Sequence, residues 1–349
     1  MDRQIELKLG EQEDVHHPRL FGTRTNTPVL IEARAHRDVK PRPVKATPPV
    51  LARDISAEDA FRLTLLQCKW QIASNVAAVV LARDAEGIHQ MRIGFRRLRV
   101  AFTAFGGDFR NPQTERLKER AEKLAAKLGP ARDLDVFIGE LLEPAAQANG
   151  KLEGFEALRR RANDARRLAW DFAVAHVTSA SFETFLDDLT HAIEQAIWLE
   201  PAERDSGAHR HMVFEMPAAE VANRMLEHRF DQAKKRAKHL KTMSAKKRHK
   251  LRIALKKLRY TADFFAPLYG EEAPKNFRKS LSKMQDVLGS LNDVAVARDT
   301  LEKLAHGEDD ALSFAAGMIY GWHLDRAGHV WKGAKKRWKK LAQCEPFWN

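Results

Sequence analysis

The 349-residue sequence is short of several things that usually decide a protein's chemistry. It has two cysteines, Cys68 and Cys344, far apart and in no metal-ligand spacing. That excludes a disulfide framework and a Cys-rich zinc module, and it predicts free thiols in a reducing compartment. No apolar run approaches the ~20 residues that cross a bilayer, so membrane insertion is not expected. The first eight residues, MDRQIELK, are too charged for a signal peptide, and the expected location is cytoplasmic. No carboxylate pair or Ser/His/Asp set stands at a convincing spacing, so no catalytic residue, metal site or cofactor is expected. Acids are also in deficit: 47 Asp and Glu face 60 Lys and Arg, a net charge of +13.

The positive excess is concentrated. From Arg229 to Arg259 there are fourteen Lys or Arg and one acid, Asp231. Such a density attracts polyanions, whether nucleic acid, acidic lipid or a phosphate polymer. A hydrophobic content of 44% is enough for a sizeable core. Residues 1–53 stand apart, rich in Pro, Arg, Thr and His and without helical periodicity. They read as a short strand, Ile5 to Leu9, then an irregular arm and linker. From Ser56, which opens the run with Asp59 as a loose capping box, the pattern is helical. Breaks fall at Gly106, Asn111-Pro112, Gly129-Pro130, Gly150, Pro201 to Gly207, Pro217, Gly270 and Gly307. The spacing predicts ten to twelve helices joined by short loops, an all-α bundle protein with no sheet after the arm.

An internal repeat organises the helices. HQMRIGFRRLR, starting at His89, matches HKLRIALKKLR, starting at His249, at an offset of 160 (249 − 89). The same offset pairs Asp84 with Ser244, both suited to N-capping. It also pairs Leu128-Gly129 with Leu288-Gly289, and Asp133 with Asp293. One offset held over some fifty residues means a duplicated helical unit, its copies packed about a pseudo-twofold axis.

At about 100° per residue, His89, Arg92, Arg96 and Arg99 fall within a stripe about 80° wide. Met91, Phe95, Leu98, Phe102 and Phe105 form an adjoining apolar seam. The second copy repeats this with His249, Arg252, Lys256 and Arg259 beside Leu251, Leu255, Leu258 and Phe265. Like charges at i,i+4 cost an isolated helix a few tenths of a kcal/mol each. No acid lies within the first stripe to offset them. Two readings follow: a row of cations that takes an external anion, Arg as a bidentate fork and Lys as a mobile point charge, or salt bridges to acids on neighbouring helices, such as Asp133 or Asp293. Each histidine either donates to a phosphate near its helix N-terminus or bonds a neighbouring helix and shapes the groove. The duplication favours the ligand reading for both.

Secondary cations at the same offset are Lys69 with Arg229, and Lys123 with Lys283. Arg97 and Lys257 also match but project near 80°, away from the stripe and toward expected solvent. The Arg132-Asp133 and Asn292-Asp293 pairs read as helix-start chemistry. Near the C-terminus, Trp331 and Trp338 are interleaved with lysines. This is either a nucleic-acid or membrane-surface feature or a last helix that docks both rings on one face.

The double H-x-x-R-I-x-x-[RK]-[RK]-L-R motif, with Tyr260 closing the second copy, resembles the conserved-histidine α-helical, or CHAD, family. The resemblance spans most of the chain from Ser56. It implies two pseudo-symmetric four-helix bundles with a basic channel or groove between them, over residues 54–345, with halves of about 54–200 and 215–345. It also implies a binding module for inorganic polyphosphate, associated with polyphosphate granules and without settled catalytic activity. The implied ligands are His89, Arg92, Arg96, Arg99, His249, Arg252, Lys256 and Arg259. Residues 4–8, QIELK, resemble the first strand of the triphosphate-tunnel, or CYTH, family, with Gln4 replacing an acid. A tunnel of about eight strands cannot fit in the arm, so triphosphate hydrolysis is not expected. Two competing classes stay open: a general polyanion or nucleic-acid binder, though no zinc-finger or RNA-recognition motif is present, and histidine phosphotransfer, which needs no row of further cations.

Overall fold

The computed structural model describes residues 41–107, 109–150, 152–200, 207–270, 272–307 and 309–348. The expected strand at Ile5 to Leu9 and the CYTH-like stretch lie outside the described residues. Those described form fourteen α-helices and no strand. They are α1 (Ala57–Ala73), α2 (Val76–Val80), α3 (Ala85–Ala104), α4 (Pro112–Lys127), α5 (Gly129–Val136), α6 (Glu143–Asn149), α7 (Glu153–Val177) and α8 (Ala180–Glu194), followed by α9 (Gly207–Glu215), α10 (Ala218–Arg236), α11 (Ala245–Phe265), α12 (Glu272–Leu304), α13 (Asp310–Lys332) and α14 (Ala334–Ala342). A π-helical turn, Phe137–Leu142, joins α5 to α6. The fold class is all-α, as the sequence indicates. The helix number exceeds ten to twelve because α2, α5 and α6 run five to eight residues, too short to show a period.

The caps read from sequence are in place. Asp84 accepts from the backbone N–H of Glu86 and Gly87 at 2.8 and 3.1 Å, which starts α3. Ser244 accepts from Lys247 at 3.4 Å and starts α11. Ser56 accepts from Asp59 at 3.0 Å and starts α1. Each satisfies an orphan N–H of the first turn. The duplication shows in the helix starts themselves: α3 and α11 begin 160 residues apart (245 − 85), as do α4 and α12 (272 − 112).

Packing follows the repeat. Helices α1, α3, α4 and α8 contact one another in the first half, and α10, α11, α12 and α14 contact in series in the second. The halves meet where α3 packs on α11 and α1 on α10. Phe105 and Phe265, equivalent at the same offset (265 − 105), touch with ring centroids 5.3 Å apart. Self-contact of an equivalent pair marks an approximate twofold axis. One hydrophobic core runs through both halves around these rings. A second core is built from Phe137, Leu141 and Phe155 of the first half with Leu301, Leu312 and Ile319 of the second, so the halves interlock. Gly154 permits that crossing: a Cβ there would lie 2.0 Å from the Ala311 carbonyl oxygen.

The copies differ at one break. The first half stops α4 at Lys127 and restarts at Gly129, whereas α12 runs unbroken through Leu288 and Gly289. Pro130 has no N–H to give and clashes with the preceding turn; Ser290 does neither.

Residues 44–51 form no regular element but are bound to the bundle. Asn75, fully buried, exchanges hydrogen bonds with the Val44 backbone at 3.0 and 2.9 Å and donates to Gln71 O at 2.8 Å. Arg97 donates to Thr47 O at 3.3 Å, and Pro49 and Leu51 are buried. At the other end Phe347 and Trp348 are buried, and Trp348 Nε1 donates to Glu227 at 3.0 Å. Asn75→Ala removes both hydrogen bonds to the Val44 backbone and the one to Gln71, and should cost about 2 kcal/mol. Urea unfolding checks this; a midpoint equal to wild type would show that the linker contributes nothing to stability.

Candidate anion-binding cleft

The two motif helices bring their stripes toward each other. Helix α3 buries Met91, Phe95 and Leu98 fully, and α11 does the same with Leu251, Leu255 and Leu258. The stripes therefore lie along the edge of the core, half-buried. Arg96 reaches across to the Tyr260 hydroxyl at 3.5 Å. Burial pushes the Lys256 ammonium down to about 7, and the nearby Arg96 and Arg252 push the same way, with Arg92 adding to it. Asp293 opposes them. Four cations from both repeats thus share one locus, with Asp133 beside Arg92 and Asp293 acting on Arg252 and Lys256.

The guanidinium groups are under-partnered. Arg92 is held by Asp133 at 3.8 Å, too long for a good hydrogen bond, and its buried Nη1 has no acceptor. A Cβ on Gly129 would come within 2.9 Å of that same nitrogen, so glycine leaves it room. The buried Nε of Arg252 likewise has no acceptor. Burial lowers the pKa of Arg92 and of Arg252, with Asp133 and Asp293 respectively working against it. Arg99 pairs with Glu122 at 2.5 Å, yet its Nε is also unpartnered. A pocket of about 170 Å³ is lined by Arg92, Arg96, Arg99 and Glu122, kept open by the small Ala125 and Ala126 of α4. It has the volume of about five waters. The salt-bridge reading of the stripe is met only in part: Asp133 and Asp293 stand near the cations but do not satisfy them.

The two histidines differ. His89 is half-buried, and burial followed by Arg132 lowers its pKa, with Arg96 and Arg92 adding to the effect. At neutral pH it is an uncharged ring that can donate one hydrogen bond. His249 is exposed, with Nδ1 at 3.3 Å from Asn292 Oδ1. Arg259, at the far end of the second stripe, donates to Gln285 at 3.1 Å and lies 3.8 Å from Asp263.

The secondary cations are not brought together. Lys69 is half-buried, and the charges acting on it are Glu194 and Asp187. Arg229 is buried and donates to Thr103 O at 2.9 Å. Lys123 and Lys283 are exposed on α4 and α12. Arg97 is not at solvent: it is 3% exposed, donates to Gln71 at 2.7 Å and stacks over Phe264 at 5.5 Å. That azimuth of α3 faces α1 and the linker. Lys257, its counterpart, is half-buried near Arg229, Arg236 and Arg99. The last helix is split at Gly333, so Trp331 and Trp338 belong to α13 and α14; both pack against the core, and Arg248 stacks on Trp331 at 5.3 Å. Arg132, read from the sequence as helix-start chemistry, acts on His89. The signal available was that its neighbour Asp133 recurs at Asp293, at the offset of the stripes. No group of three or more His, Cys, Asp or Glu suited to a metal occurs among the described residues, and none of their helices is long and apolar enough to cross a membrane.

These features define a duplicated helical protein that gathers cations of both repeats where its halves meet. The CHAD domain family model matches residues 64–302, and the chain belongs to that family. It is similar to the crystal structure of the CHAD domain from the plant Ricinus communis, with a TM-score of 0.73, 26% identity, and 87% of this chain and 98% of that one covered. PptA from Streptomyces chartreusis shares the fold, with a TM-score of 0.56, 15% identity, and 82% and 100% covered. No curated protein of similar sequence is found.

Lys256 is charged when unfolded, with an ordinary value of 10.5, and is lowered to about 7 when folded. Between those values the unfolded chain binds more protons, so this group makes stability rise with pH across that window. Below about 7 its full penalty is present. Lys256→Met should therefore be more stable than wild type near neutral pH and should lose that advantage toward pH 10. Urea unfolding across the range reads the difference; parallel profiles would place the ammonium in solvent.

Proposed function

We propose that this protein binds inorganic polyphosphate in the cleft between α3 and α11, as a binding module and not an enzyme, and that binding attaches it to polyphosphate granules in the cytoplasm. The observation that carries the reading is the crowding of Lys256 by Arg92, Arg96 and Arg252 with a single opposing acid. Like charges brought together in this way repel one another. An anion placed among them relieves that repulsion and supplies the acceptors that Arg92 Nη1 and Arg252 Nε lack.

The ligand set is His89, Arg92, Arg96 and Arg99 with His249, Arg252, Lys256 and Arg259. Helical spacings of three and four put cations about 5 Å apart along each stripe, a rise suited to successive charges of an extended polymer. Lys123 and Lys283, exposed on the flanking helices, extend the field outward. Lys69 and Arg229 contribute at most at long range. Family membership supports the reading, since the fold carries no established catalytic role. Nucleic acid loses its one specific support, because Trp331 and Trp338 pack on the core and are not arrayed for stacking bases.

Arg92→Ala combined with Arg252→Ala should weaken polyphosphate binding and lower its salt slope by roughly one to two units, at ~0.7–0.9 per phosphate contact. An unchanged slope in a variant of intact helicity would remove the stripes from the site. Competition identifies the polymer. Labelled polyphosphate on the protein at near-physiological salt is challenged with unlabelled polyphosphate, single- and double-stranded DNA, RNA and heparin at matched charge. Efficient displacement by polyphosphate alone is the expected result. Equal displacement by the nucleic acids would make the cleft a general polyanion surface.

A further inference from the structure

Where α3 ends, a second concavity of about 360 Å³ opens between the two halves. This lies in the ~300–1,000 Å³ range of small-molecule pockets. Its apolar wall includes Phe105, Phe109, Val221 and Met225, and its cations are Arg224 and Arg229 with His228 beside them. No carboxylate lines it among the described residues.

The repeat shows which side chains leave this space open. Val221, Arg224, Met225 and His228 of α10 stand at the positions of Phe61, Thr64, Leu65 and Cys68 of α1 (221 − 61 = 160). Those four α1 residues are all 0% exposed. Phe61 puts a large, fully buried ring at the position that Val221 holds in the second half. Valine at 221 cannot reach as far. Arg224 and His228 replace a buried threonine and cysteine and are exposed at the mouth. Arg229, deeper, is 8% exposed and donates one hydrogen bond to Thr103 O. Burial lowers its pKa and Arg236 lowers it further, and no acid among the described residues acts in the other direction. A buried cation without a counter-ion, at the edge of an aromatic wall, is destabilising unless something pairs with it.

We propose that this pocket binds a small organic anion with an apolar body, an aryl or short alkyl phosphate or carboxylate. Its acid group pairs with Arg229 and Arg224, and its body lies on Phe105, Phe109 and Val221. Inorganic polyphosphate has no apolar body to cover that wall, so the site is separate from the cleft and does not rest on the polyphosphate reading.

Calorimetric titration of the full chain with four probes tests it: naphthyl phosphate, naphthoate, inorganic phosphate, and naphthalenemethanol. One of the two aromatic acids should bind about tenfold or more tightly than inorganic phosphate and than the uncharged alcohol, a difference of about 1.4 kcal/mol. The tighter acid identifies the headgroup. Val221→Phe copies the ring that fills the equivalent position, and it should weaken the aromatic acid at least about tenfold while leaving polyphosphate affinity within about twofold. If that variant loses helicity, Arg224→Glu at the exposed mouth serves instead, with the same expected result. Equal binding of inorganic phosphate, unchanged binding in the variant used, or loss of the aromatic acid in the Arg92→Ala, Arg252→Ala protein would each overturn the proposal. The last outcome would leave the polyphosphate reading intact and assign the probe to the cleft.

Discussion

Two helices that carry rows of like charge are made to pack against each other, and the rest of the molecule is arranged around that repulsion. The apolar seams of α3 and α11 supply the opposing force. Met91, Phe95, Leu98, Leu251, Leu255 and Leu258 are all fully buried, and each such side chain contributes about 1.5–3 kcal/mol on leaving water. That exceeds the few tenths per like-charge pair on a single helix surface. The seams thus hold the stripes together, and the stripes cannot relax outward without exposing core. The acids allowed nearby, Asp133 and Asp293, limit the strain without cancelling the charge. Arg92 remains 3.8 Å from its carboxylate, a distance that leaves its hydrogen-bonding capacity unspent.

Much of this was legible because it rests on local chemistry and periodicity. Asp84, Ser244 and Ser56 cap the helices they precede, and the offset of 160 recurs in the helix starts. The members of each stripe share a face because the helix geometry requires it. What was not legible depends on what packs against a given face. Arg97 projects away from the stripe on α3, but that direction holds Gln71 and Thr47 and not water. The offset pairs Lys69 with Arg229, yet one lies near acids of α8 and the other near Thr103, so equivalence in sequence does not make them partners in a site. Asp133 reads both as a helix-start residue and as a salt-bridge partner of the stripe, and only its placement 3.8 Å from Arg92 shows how weak that pairing is. The tail holding Trp331 and Trp338 looks continuous until Gly333 divides it.

The halves have diverged around a shared frame. Pro130 breaks the first copy where the second runs straight through Gly289, and Arg132 is carried close to His89 by the short α5. One end of the cleft consequently has a half-buried, uncharged histidine and the other an exposed one that leans on Asn292. A polymer lying along both stripes meets two unlike ends. The repeat holds in sequence and in the helix starts, but the electrostatic surface it offers has a direction.

The contact of Phe105 with Phe265 has a consequence for ancestry. A residue that touches its own repeat equivalent across a twofold is what a homodimer presents at its axis. A single-copy ancestor would have built the cleft only by pairing two chains, and its occupancy would then have depended on protein concentration. Joining the copies in one polypeptide replaced that second-order association with a fixed effective concentration. It also released the two sides from the identity that a homodimer imposes, so that a ring kept at Phe61 could be lost at Val221 without altering its twin.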